Sequence, residues 1–145
     1  MRALAVYDGD LIAAGTFVEA GGLPVNGIAR WDGATWHALG SGMEPQTDCV
    51  QVNCLAVWNG KLVAGGLFGR AGGVRANNLA LWDGSFWSAL GGSGLGEVHD
   101  LEVFGADVVV GCDFFNDGER VVHGILRWDG PAWRALGPGL GGPYG

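Results

Sequence analysis

Positive charge is scarce in this sequence: 8 Lys and Arg stand against 15 Asp and Glu, a formal net charge of -7 over 145 residues. That balance opposes the counterion release on which non-specific binding to DNA or RNA rests, so nucleic acid is not an expected partner. Histidine is rarer still. His37, His99 and His123 show no H-x-x-x-H or H-E-x-x-H spacing, so neither a metal site nor a cofactor is expected. The cysteines Cys49, Cys54 and Cys112 form no C-x-x-C pair and allow at most one internal disulfide. That count admits a Cys49–Cys54 bridge, and equally admits Cys54 and Cys112 as small buried hydrophobes. No apolar run reaches the length of a membrane span, and neither a G-x-S-x-G elbow nor a phosphate loop is present. At the N-terminus, MRALAVYDGD is interrupted by Asp8 and Asp10 and recurs inside the chain, so it reads as a strand and not as a signal peptide.

What is plentiful is glycine, 29 residues, within a composition that is 48% apolar. Without a three-residue glycine period this excludes collagen and disorder, and it fits one all-β domain, residues 1–145, dense in turns. The chain is also a threefold repeat. IARWDGATWHALG from Ile28 returns as LALWDGSFWSALG from Leu79 and as ILRWDGPAWRALG from Ile125. With Leu4, Leu55 and Leu101 in register, the copies start 51 and then 46 residues apart, and Trp31, Trp82 and Trp128 each follow 27 positions later. Phe17, Phe68 and Phe114 align too, as do Trp36, Trp87 and Trp133, so only the connector SGMEPQTDCVQV differs in length.

Turn signals cut each copy into four strands. ALAVY ends at Asp8-Gly9 and CLAVW at Asn59-Gly60, dipeptides suited to a type I′ hairpin because both central residues need positive φ. DLEVF ends instead at Gly105-Ala106. The second strand, LIAAGTF, LVAGGLF or VVVGCDF, is nearly continuous apolar sequence, as expected of a strand covered on both faces. A glycine-rich loop follows, and then the recurring motif, read as a hairpin turning on Asp32-Gly33. By the two-residue period, Trp36 and Ala38 face one side while Thr35, His37 and Leu39 face the other.

Four antiparallel strands repeated about every 45 residues is the period of a propeller blade. The succession of apolar strand, small-residue pair, loop, aromatic-Asp and later Trp resembles the kelch-type repeat. It is closer still to the RWDG...W...ALG repeats of kelch-like propellers in large bacterial surface and secreted proteins. That resemblance covers residues 2 to 140; its departures are Cys112 in place of a glycine and the lost Asp-Gly turn at Gly105-Ala106. It implies an all-β β-propeller with three four-stranded antiparallel blades, about 2–42, 53–94 and 99–139, and an extracellular or cell-surface setting. The Trp-Asp pair is also found in WD40 repeats, but no Gly-His pair precedes it here.

Propellers have four to eight blades, so three copies leave two blade faces open, and exposed apolar faces mark interfaces. Two chains joined head to tail would make a six-bladed ring. A contact that fails to close would make a filament, and a place within a longer propeller is the third arrangement.

Catalysis finds little footing. The kelch-type oxidases that carry copper need several Tyr and His ligands, whereas this chain has only Tyr7 and Tyr144, with Tyr7 at a position filled by Trp58 and Phe104 in the other copies. Asn116-Asp117-Gly118-Glu119 lacks the D-x-D-x-D-G pattern of a calcium loop and reads as a turn. Six of the seven Trp fall at two repeated positions and read as packing. The candidates for ligand contact are the polar loop residues: Asn26, Asn77 and His123 at one repeat position, with Arg70, Arg75 and Arg120 nearby. The sequence therefore points to a non-enzymatic scaffold that binds itself or another protein, with a repeat lectin using these loops for carbohydrate as the alternative.

Overall fold

Every regular element in the computed structural model is a β-strand, among the described residues 1–91, 94–116, 118 and 121–136. The first copy supplies β1 (Ala3–Tyr7), β2 (Asp10–Ala14), β3 (Glu19–Ala20), β4 (Leu23–Pro24), β5 (Ile28–Trp31) and β6 (Trp36–Ala38), and its connector supplies β7 (Met43–Glu44). The second supplies β8 (Gln51–Trp58), β9 (Lys61–Leu67), β10 (Arg70–Ala71), β11 (Val74–Arg75), β12 (Leu79–Trp82) and β13 (Trp87–Ala89). The third has only β14 (Val98–Phe104), β15 (Asp107–Asn116), β16 (Val121–Trp128) and β17 (Trp133–Ala135). Three four-stranded antiparallel sheets result, in the orders β1-β2-β5-β6, β8-β9-β12-β13 and β14-β15-β16-β17.

The first hairpins turn as their dipeptides dictate: φ is +52° and +82° at Asp8-Gly9 and +52° and +73° at Asn59-Gly60. The recurring motif turns differently from the expected two-residue hairpin. Trp31 pairs with Trp36, so the loop is four residues, closed by Asp32 Oδ1 accepting the amides of Ala34 and Thr35 at 2.8 Å each. Asp83 does the same for Ser85 and Phe86, and Asp129 accepts from Ala132. The motif's Asp is thus a local substitute for a backbone turn acceptor. Beside it the paired indoles tilt against each other with centroids 5.2 Å apart in all three sheets.

The glycine-rich loops, expected to be irregular, fold into small hairpins in the first two copies. Gly21-Gly22 and Gly72-Gly73 supply the positive φ that joins β3 to β4 and β10 to β11, and β7 extends the second pair to three strands. The third copy has no Gly-Gly, and β15 and β16 simply run on, pairing as far as Asn116 and Val121.

Packing follows the two-residue alternation. Leu62 and Ala64 of β9 lie in a cluster with Ile12, Ala14, Ile28 and Leu39 of the first copy, whereas Val63 lies in a second cluster with Val98, Val108, Val110 and Leu126 of the third. The middle sheet is therefore buried on both faces, which is why its second strand carries no polar alternation. Hydrogen bonds repeat across the same junctions. Trp87 Nε1 donates to Leu39 O at 2.8 Å and Trp133 Nε1 to Gly91 O at 3.1 Å. Tyr7 Oη donates to Gly60 O at 3.0 Å and Trp58 Nε1 to Ala106 O at 2.8 Å. Within the middle sheet, Gly66 of β9 is obligatory, since a Cβ there would stand 2.0 Å from Gln51 O of the adjacent β8. Cys54 and Cys112 are buried thiols and Cys49 an exposed one, with no disulfide among the described residues.

The outer sheets each keep one open face, and the two differ. On the first sheet, register places Leu4, Val6, Leu11, Ala13, Ala29, Trp31, Trp36 and Ala38 together with no charge among them. Leu4 is 53% exposed there, whereas Leu101 at the matching position of the third sheet is 7% exposed beneath the second. The third sheet's open face carries Phe104, Val109 and Ile125 but also Asp100, Glu102, Arg127 and Arg134.

Candidate functional site

The loop residues expected to contact a ligand are divided among three places. Arg70, Arg75 and Asn77 share one cleft of about 320 Å³ with Pro45, Gln46 and Gly69. Arg70 and Arg75 stand directly opposite each other across β10 and β11, a like-charge pairing that costs stability unless an anion intervenes. Arg70 Nη1 donates to Gly73 O at 3.2 Å. Among the described residues the arginines with a carboxylate within 4.0 Å are Arg30, Arg127 and Arg134, and Arg70 has Glu44 as its cross-strand neighbour on β7.

Asn26 lies elsewhere, in a depression of about 330 Å³ lined with Phe17, Met43 and Val50 among others, and its Nδ2 donates to Ser41 O at 2.9 Å. Asn26 and Asn77 both hold left-handed backbone, φ +52° and +50°, and this explains asparagine at the position without any ligand. His123, their counterpart, instead has Nδ1 3.2 Å from Asp113 O. Arg120 lies outside the described residues.

A second polar group, which the sequence does not announce, runs across all three first strands. Arg2 Nη1 donates to Asn53 Oδ1 at 3.1 Å, and Asn53 Nδ2 donates to Glu97 Oε1 at 3.0 Å and to Val98 O at 2.9 Å. Next to Glu97, His99 Nε2 lies 2.6 Å from Asp113 Oδ1. Arg2, Asn53 and His99 are one repeat position, and at Asn53 and His99 the pairing register shifts, between Val52 and Cys54 and between Val98 and Asp100. Each bulge turns a polar side chain out of the apolar alternation. The available signal was the column itself: three polar residues at one repeat position, Arg2 and Asn53 flanked by apolar residues on both sides and His99 on one.

Acid–base chemistry has two histidine–carboxylate pairs to draw on. His37 Nε2 lies 2.7 Å from Asp32 Oδ2 and also 3.2 Å from Thr35 Oγ1. A relay needs the carboxylate and the hydroxyl on opposite ring nitrogens, and here both use Nε2. The amide of Thr35, then His37 and the amide of Ala34, hold the Asp32 carboxyl well below the ordinary carboxylate range. The Phe86 and Ser85 amides do the same for Asp83. Burial pushes the Cys54 thiol up to about 12, helped by the charge of Asp100, and that of Cys112 up to about 11, so neither is a ready nucleophile.

No helix among the described residues is long and apolar enough to cross a membrane. In comparison with known proteins, the chain matches no protein-family model and no curated protein.

Proposed function

We propose that the chain is a non-enzymatic β-propeller module of kelch-like repeats, a structural and interaction scaffold that associates with a second copy of itself through the open face of its first sheet. One observation carries this reading. The face formed by Leu4, Leu11, Trp31 and Trp36 recurs on the second and third sheets, and there each is covered by the sheet before it. The covering surface is itself a sheet of this repeat, so the chemistry that fits the open face is already written in the two internal junctions. A pocket of about 250 Å³ beside Trp36, lined by Met1, Ala13, Phe17, Glu19 and Ala20, supports the reading. On the second sheet the matching Ala64, Phe68, Ala71 and Trp87 are buried with Leu39 and Met43 of the preceding copy.

The occupant is the third sheet of another copy, whose Leu136 corresponds to Leu39 and is 38% exposed. Its Asp100 and Glu102 stand where the first copy has Ala3 and Ala5, and burying them against an apolar face bordered by Glu19 opposes association. Gel filtration with light scattering over a range of concentrations tests the reading. Leu11→Glu abolishes self-association, and the double change Asp100→Ala, Glu102→Ala strengthens it. An elution that ignores both changes and concentration removes the proposal.

The arginine pair supports a second reading, a lectin for acidic carbohydrate at the Arg70–Arg75–Asn77 cleft. A glycan array separates the two: an acidic-sugar signal lost in Arg75→Ala favours the lectin, and silence across the array leaves the scaffold.

A further inference from the structure

We propose that Glu97, His99 and Asp113 form a binding site for a divalent transition-metal ion of the zinc type. One ligand atom from each can be chosen so that all lie within 4.8 Å of one another. The three come from separate local devices. Glu97 precedes β14, His99 is the residue turned out by the β14 bulge, and Asp113 sits where the β15–β16 register shifts between Cys112 and Phe115. Both register shifts also serve packing, since they let residues three apart, Val98 with Leu101 and Cys112 with Phe115, enter one apolar cluster, and the polar side chains between them are turned outward. The matching residues in the second copy, Asn53 and Leu67, offer no such donor set.

The donor set selects the class of ion. One imidazole nitrogen with two carboxylates suits zinc, copper or cobalt, whereas calcium and magnesium call for oxygen ligands throughout. A divalent ion with neutral imidazole and two carboxylates gives an uncharged group, so it cancels the repulsion between Glu97 and Asp113. A tetrahedral ion with bonds of roughly 2.0–2.2 Å spaces its ligand atoms about 3.3 Å apart. His99 Nε2 and Asp113 Oδ1 stand at 2.6 Å, and His99 Nδ1 and Glu97 Oε1 at 4.0 Å. The ion takes one of these two ring nitrogens; with one ligand atom from each residue the spacing to be closed is at most 4.8 Å, by rotation of the exposed His99 and Asp113 side chains, the ion replacing the His99–Asp113 hydrogen bond.

Glu97 is preset for this. Asn53 Nδ2 already holds its Oε1, the outer hydrogen bond that fixes a metal-ligating carboxylate. Asn53 belongs to β8 and Glu97 leads into β14, so this outer hydrogen bond joins the second sheet to a site whose three ligands all come from the third copy. His123, with Nδ1 on Asp113 O, stands next to the site.

The test is calorimetric titration of untagged Cys49→Ser protein with zinc chloride, the substitution removing the exposed thiol as a competing ligand. One ion per chain is expected, with a raised unfolding temperature and no response to calcium at the same concentration. His99→Gln and Asp113→Asn each weaken binding at least tenfold and erase the thermal shift. His37→Gln, which breaks the other histidine–carboxylate pair, leaves both unchanged. Circular dichroism shows that the variants remain folded. Absence of zinc binding, equal binding in folded His99→Gln, or a preference for calcium overturns the proposal.

Discussion

Leu4 and Leu101 occupy one repeat position on sheets that differ in what covers them, and that difference converts directly into stability. Leu101 is 7% exposed in the cluster with Cys54, Val98 and Val110. Truncation to alanine removes its transfer energy and leaves a cavity, a loss of about 3 kcal/mol within the range for buried leucines. At about 3 °C per kcal/mol for a chain of this size, that lowers the unfolding midpoint by roughly 9 °C. Leu4 is 53% exposed on the first sheet, so Leu4→Ala costs about 1 kcal/mol or less in dilute solution. Urea melts followed by tryptophan fluorescence at low protein concentration measure the contrast. As concentration rises and the open face is covered, the cost of Leu4→Ala grows towards that of Leu101→Ala. Equal losses for the two variants in dilute protein refute the reasoning, because the first sheet's face would then be covered within the chain.

The indole hydrogen bonds make a parallel case: Trp87→Phe removes one of the two hydrogen bonds to the Leu39 carbonyl, which keeps the Gly42 amide at 3.1 Å, and costs about 1 kcal/mol beyond its lost packing area, whereas Trp36→Phe in dilute protein costs little, as calorimetric melts of the two will show. Native protein exposes one of its three thiols to a disulfide reagent, Cys49, and all three react only after denaturation. Rapid labelling of Cys54 in native protein contradicts the burial that raises its thiol to about 12. The Asp32, Asp83 and Asp129 carboxyls are held low by their turn amides and, for Asp129, first by Arg134. A carboxyl lowered on folding binds fewer protons than in the unfolded chain, so its stabilisation is present above the ordinary carboxylate range, near pH 4, and is lost as pH falls through the folded value. The urea midpoint of the triple Asp→Asn protein should therefore fall less between pH 6 and pH 3 than that of the parent.

The repeat made much of the fold legible. Asp8-Gly9 and Asn59-Gly60 fixed two hairpins, and the unbroken apolar stretch of β9 announced a strand buried on both faces. The same period placed Trp36 opposite His37 in facing, as found. The motif's Asp-Gly misled, because Asp32 closes a four-residue turn through its side chain, and a dipeptide does not distinguish that from a type I′ turn. Gly21-Gly22 was readable as a hairpin but sat inside a stretch too polar and too short to show a strand period. The polar chain through Asn53, Glu97 and His99 was hidden for a further reason. A bulge shifts the alternation by one residue, so a fixed period assigns the wrong face from that point, and contacts between residues of different copies leave no mark in either copy alone. Composition marks Arg70 and Arg75 as loop cations, but that they face each other depends on the small β10–β11 hairpin, which no strand period announces.

Sedimentation equilibrium of the unmodified chain tests the central claim most directly. The account predicts a reversible approach, with rising concentration, to a particle of twice the 15.0 kDa chain mass, with Leu11→Glu held at a single chain. A parent protein that stays at one chain mass at every concentration, or that grows without limit, contradicts it.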